Sequence, residues 1–318
     1  MPMGFYTQTV CVLLRDELSL DQLRPALANY KILKEIPGGS SSGEWAMGGP
    51  AYVLEYRMPK NGTVVVDIAN HPWPDGMGDP KQETAIFGAW SMGMFGPFTF
   101  PGGLQRAMQQ CWAWEDGKWL PTQHRGFLRV RSSYVLGGGQ DAQIRPDDYD
   151  AEEDLEFVTR VAQAVMQLPQ ALCYFNPNGE VLRDRDMLNE SIAYAREVEL
   201  PTLELWSNIR LFNVDERFSL MDTVGNGQLD LPDFEAVFSR KYDCGEIDGF
   251  LRNLTLYLLN EGNVIQDRDT LDGPGDIKWQ AHHFEQGLCD PPRNVLCFVP
   301  LDGAAPPDEV LNRPERKQ

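Results

Sequence analysis

Histidine is scarce, cations are outnumbered and long apolar runs are missing, and each shortage removes a class of function. Only four His (His71, His124, His282 and His283) occur in 318 residues, which leaves few groups for acid–base chemistry near neutral pH. His71 and Asp75 share the run HPWPD and could form an activated base, but no Ser or Cys accompanies them in a nucleophile elbow. A His framed by Pro and Trp reads as a packed turn. His282 and His283 fall on opposite faces of a strand and are poor co-ligands for one metal ion. The six Cys (Cys11, Cys111, Cys173, Cys244, Cys289 and Cys297) stand singly, without a CxxC pair, in apolar contexts such as ALCYF. They are expected to be buried thiols in a reducing compartment. No apolar stretch approaches the roughly 18–20 residues that span a bilayer. The N-terminus, MPMGFYTQTVCVLLRDELSL, lacks a basic segment and a small-residue cleavage site, so a mature, cytoplasmic protein without a membrane partner is expected.

The shortage of cations is the most informative. Lys and Arg number 28 against 47 Asp and Glu, a formal charge of −19. Residues 1–145 balance at 13 against 13, whereas residues 146–318 hold 15 against 34. Such a field repels nucleic acid and anionic membranes and favours fast encounter with a basic protein.

What is abundant is rigid aromatic surface. The stretch from His71 to Trp114 holds four of the eight Trp, seven Gly and five Pro. Repeated turns and large rings specify a fixed shape rather than a catalytic signature.

Along the chain, residues 5–15 read as a strand, and Ser19 with Gln22 forms a capping box for a helix reaching about Tyr30. GGSSSG, 38–43, reads as a mobile loop. AYVLEYRM and TVVVDIAN flank an Asn61-Gly62 turn and form a hairpin. Helices are expected over 83–92 and 103–114, then a strand over 124–135 whose Arg125, Arg129 and Arg131 make a solvated basic face. Gly137-Gly138-Gly139 and the charge step place a boundary near residue 145. A helix follows, capped by Asp150 and burying Leu155, Val158, Val161, Ala162, Val165 and Leu168. The second half continues with a hairpin around Asn178-Gly179, a helix over 185–197 and a strand over 203–214. Helices over about 231–240 and 246–260 and closing strands that include RNVLCFVP complete it. The expected fold is α+β: two packed α+β halves, 1–145 and 146–318, with antiparallel or mixed sheets and amphipathic helices.

Two acidic runs invite a ligand. Asp147, Asp148, Asp150, Glu152, Glu153 and Asp154 exceed what capping requires and are candidates for docking basic side chains. Asp222, Asn226, Gln228, Asp230 and Asp233 follow the order of an EF-hand calcium loop, with Gly227 at the sharp turn. Val224 stands where an oxygen ligand is needed, Asp233 replaces the long Glu, and no second loop is present. The ordinary alternative is a Gly-Asn-Gly turn. The run from Asp267 to Asp276 reads as a solvated acidic loop, and Asn253-Leu254-Thr255 is a glycosylation sequon on a helix, which is discounted.

HPWPDGMGDP, FGAWSMGMFGPFTFPGGLQRAMQQCWAW, ALCYFNPNGEVL, LWSNIRLFNV, MDTVGNGQLDLPDFEAVF and DGPGDIKWQ together resemble a bacterial family of unknown-function proteins associated with type VI secretion loci. The likeness covers roughly residues 5–300 and rests on long phrases rather than a catalytic motif. It implies an immunity factor that binds a cognate toxin, basic and nuclease-type, without enzymatic activity or cofactor. A calcium- or small-molecule-binding module and a hydrolase are the alternatives.

Overall fold

Strands of alternating polarity build two separate sheets, and helices cover them, in the α+β arrangement expected. A computed structural model describes residues 4–38 and 43–313, so most of the GGSSSG loop expected at 38–43 lies outside the described residues. The chain divides into two units, Met1–Trp206 and Ser207–Gln318.

The first unit contains β1 (Gln8–Leu14), β2 (Ile32–Ile36), β3 (Ala51–Glu55), β4 (Thr63–Ala69), β5 (Gly126–Ser133), β6 (Ala171–Asn176) and β7 (Val181–Arg183). They form an antiparallel sheet in the order β2-β3-β4-β5-β1-β6-β7. The acidic helix Ala151–Val165 packs over β1 and β5, burying Leu155, Val158, Val161, Ala162 and Val165 as its spacing predicts. Leu168 lies beyond the helix end and is half-buried.

The other face of this sheet carries the aromatic stretch. Trp73 is its hub, with ring centres 5.2 Å from Phe95, 5.2 Å from Phe127 on β5 and 5.3 Å from Phe175 on β6, all edge-on. Each such pair adds about 0.5–1.5 kcal/mol to the area it buries. Asn178, in the β6–β7 turn, donates to Thr9 O and accepts from Phe98 N–H and the Thr99 hydroxyl, fastening the FGPFTFPG turn to the sheet. Gly96 there is obligatory: at φ +141°, a Cβ would lie 2.5 Å from Asn178 Oδ1.

The second unit has β8 (Asn208–Asn213), β9 (Phe218–Val224), β10 (Asp233–Ser239), β11 (Thr270–Gly273), β12 (Ile277–Phe284) and β13 (Val295–Pro300). Their order is β11-β12-β13-β10-β9-β8, antiparallel except for the parallel pair β10–β13. The helix Cys244–Glu261, capped by Asp243, packs over β9 and β10, and Phe250 meets Trp279 and Phe298 at 5.4 and 5.6 Å.

Four expectations are corrected. The boundary near 145 moves to 206, because β6 pairs with β1 and the acidic helix covers that same sheet. Acid is therefore shared: 17 Lys and Arg against 27 Asp and Glu in residues 1–206, and 11 against 20 in 207–318. The strand face with Arg129 and Arg131 is fully buried rather than solvated, since both arginines answer a carboxylate inside the unit. Residues 233–239 form a strand rather than a helix, because Phe234, Ala236 and Phe238 alternate against Asp233, Glu235 and Val237. The helix expected over 103–114 stops at Gln109.

Candidate functional site

Each unit buries an arginine–carboxylate network that the sequence pattern did not reveal. On β4, Asp67 receives Arg129 and Arg131 from β5, each at 2.6 Å, plus the Gly49 N–H. Other guanidinium hydrogens go to the carbonyls of Trp45, Ala46 and Met94, while Arg131 Nε is buried without a hydrogen-bond acceptor. Burial opposes the charge on Asp67, but the two arginines outweigh it and hold its carboxyl below the usual carboxylate range. The one available signal was a lone Asp in the otherwise apolar TVVVDIA, which requires a cation inside the fold.

In the second unit Asp222 takes Arg210 at 2.7 Å and Arg293 at 2.6 Å. Arg293 also reaches Asp233 at 3.3 Å, and Arg313 reaches Glu235 at 2.6 Å.

These contacts consume the calcium candidates. Asp222 lies on β9, and Asp233 opens β10, where it accepts from the Thr223 hydroxyl and the Asn226 N–H. The side-chain amides of Asn226 and Gln228 face carbonyls, Pro232 O and Gly225 O, as donors. Asp230 takes a left-handed φ of 59° where a 3-10 turn ends. The segment is thus the Gly-Asn-Gly turn of a β-hairpin with arginines on its carboxylates. Among the described residues no group of three or more His, Cys, Asp or Glu is arranged to hold a metal ion.

The six docking candidates are also partly occupied at home. Asp148 pairs with Arg57 and Lys60 at 3.1 and 3.4 Å, and Glu153 stands 3.7 Å from Arg57. Asp150 caps the helix through the Glu153 N–H. Asp154 is fully buried and accepts from Thr7 and Tyr134 hydroxyls at 2.8 and 2.6 Å. Desolvation raises its carboxyl above the ordinary value despite those bonds. Asp147 is exposed, and Glu152 is half-buried beside Glu156 and Arg160 in a shallow hollow of the first unit.

The histidines are dispersed. His71 is exposed and stacks on Trp45 at 4.7 Å, while both oxygens of Asp75 accept helix N–H groups, from Leu104 at 2.8 Å and Gln105 at 2.9 Å. His124 Nε2 accepts the Trp73 N–H at 2.7 Å and its Nδ1 lies on Pro121 O, an arrangement that suits the neutral ring, and burial lowers its pKa. His282 and His283 share an open hollow with Asp267 and Arg268, and the His283 ring meets Ile265 O. None of these pairs a nucleophile with a base.

Sequence reasoning also missed two exposed indoles, Trp112 and Trp119, in the irregular lobe that follows the helix Gly103–Gln109.

The fold and these sites describe an α+β protein with sheets pinned by buried ion pairs and an acidic exterior. The family model for a domain of unknown function, DUF4261, matches residues 222–299, which run from β9 to β13 in the second unit. No curated protein and no solved structure matches the chain. No helix among the described residues is long and apolar enough to cross a membrane.

Proposed function

We propose that this chain is a binding protein that neutralises a cognate basic toxin, of nuclease type, delivered by type VI secretion. The particular likeness within the resembled family is the immunity protein TsiT, partner of a nuclease-type toxin. The observation that carries the reading is where the charge lies. Six carboxylates are buried (Asp67, Asp154, Glu180, Asp222, Asp233 and Glu235), and four arginines are buried with them, with Arg293 and Arg313 nearly so. Buried carboxylates and arginines nearly match, so the negative surplus of the described residues stays on the outside of both units. An exterior of this kind draws in a basic protein and repels the nucleic acid on which that protein acts. Arginine pairs inside the sheets favour a rigid surface, which lowers the entropy lost on docking.

The test is co-expression with the product of the neighbouring reading frame, followed by affinity measurement at several salt concentrations. A stable complex is expected, with Kd rising at least about tenfold between about 0.05 and 0.5 M salt. Absence of a complex, together with no rescue of cells expressing that neighbour, would sink the reading.

A further inference from the structure

Four of the six candidate carboxylates in the acidic run 147–154 are engaged within their own unit, which turns the search for the grip on a basic partner to other surfaces. We propose that it lies on the lobe 111–124, where Trp112 and Trp119 serve as anchors for arginine and lysine side chains of the partner. This rests on the reading of a basic protein partner given above.

Of the eight Trp, only Trp112 and Trp119 are exposed, at 62% and 50%. The lobe that presents them is fixed from beneath. Cys111, Trp114, Gly117 and Pro121 are buried, and a Cβ on Gly117 would lie 2.4 Å from Cys111 Sγ and 2.7 Å from the Trp114 ring. Each indole N–H is already committed, Trp119 to Asp116 Oδ1 at 3.2 Å and Trp112 to Gln110 Oε1 at 2.9 Å. The Thr122 hydroxyl holds the Trp119 carbonyl at 2.7 Å, and His124 ties the lobe's end to the Trp73 N–H. Rings whose N–H groups are tied are held in place, and they lose little freedom on binding.

The chemistry around those faces selects a cation. The Lys118 ammonium stands 5.4 Å from the centre of the Trp112 ring, so the ring already holds a positive charge in the free protein. Lys118 is itself exposed and can swing away for a partner's guanidinium. Glu115 and Asp116 lie in the same short turn, and Asp116 shares a hollow with Asp184 and Asp186. Arg15 and Arg185 also line that hollow, but Arg185 is turned to the carbonyls of Met166 and Leu168. A ring face with a carboxylate beside it suits arginine, which stacks and forks at once. Aromatic anchors of this kind dominate interface energetics.

The experiment compares full-length protein with Trp112→Ala, Trp119→Ala, Lys118→Ala and Tyr194→Ala variants for affinity to the neighbouring gene product, with a thermal melt of each. Each Trp variant is expected to bind at least about tenfold more weakly. Tyr194→Ala, which removes an equally exposed ring of the same unit outside the lobe, should bind as the parent does, and melting temperatures should hold because the rings are exposed. If the parent binds and both Trp variants bind equally well, the lobe is overturned and the partner reading survives. If the parent does not bind, both fall. Where a Trp variant also melts early, Lys118→Ala decides: it uncovers the ring and should bind at least as tightly as the parent, and a weaker complex overturns the lobe.

Discussion

Asp67 holds two arginines in a site none of the three could occupy alone. Removing it by Asp67→Ala leaves both guanidiniums buried without a counter-charge. That should cost about 3–5 kcal/mol, a large share of the roughly 5–15 kcal/mol that stabilises a domain. A urea unfolding curve of the first unit checks it, and a loss below about 1 kcal/mol would contradict the network's role. The pH dependence has a fixed sign. The folded carboxyl is held low, so as pH falls through about 4 the unfolded chain takes up this proton first. Its stabilisation is complete at neutral pH and drains away below pH ~4, and Asp67→Asn should flatten that acid limb. At this scale, local devices were legible: the Ser19–Gln22 capping box and the Asp150 cap form as spaced. The arginine network was not, because its partners lie 62 residues apart and meet only through strand pairing.

Among the elements, the helix Gly103–Gln109 begins at Gly102, a left-handed residue at φ 80° with no side chain to cap it. Asp75 does so from the HPWPD turn, through Leu104 and Gln105. Asp75→Ala should therefore cost about 1–2 kcal/mol, whereas His71→Ala, which removes only an exposed stacked ring, should cost less than about 1 kcal/mol. Thermal melts of the two variants decide it, and equal melting points would contradict the remote cap. Elements with a strong period and a local cap could be read directly, as with Ala151–Val165, Arg185–Glu197 and the β6–β7 hairpin. Residues 233–239 could not, because Asp233 and Glu235 look like solvent-facing helix positions until Arg293 and Arg313 are seen inside.

For the whole molecule, the two-sheet α+β plan followed from alternating strands and amphipathic helices, but the division did not. Net charge reports which side chains meet water and is blind to which strands pair, so the step at 145 cuts through one sheet. A chain ending at Trp206 should fold cooperatively, with resolved amide signals and a sigmoidal melt. One ending at residue 145 should not, since β1 would lose β6 on one edge and the covering helix on its face. A cooperative 1–145 fragment would overturn the division.

The second unit's ion pairs also constrain how its parts can be inherited. Residues 222–299 carry Asp222, Asp233 and Glu235 but, of the three arginines that answer them, only Arg293. Arg210 enters from β8 upstream and Arg313 from the C-terminal tail downstream. Transplanted alone into another chain, the matched stretch would carry three acids and one base into an apolar interior. A descendant that loses Arg313 leaves Glu235 buried without its cation, so a change at position 313 is expected to favour a change at position 235, and distant stretches of this chain are coupled in what they can accept.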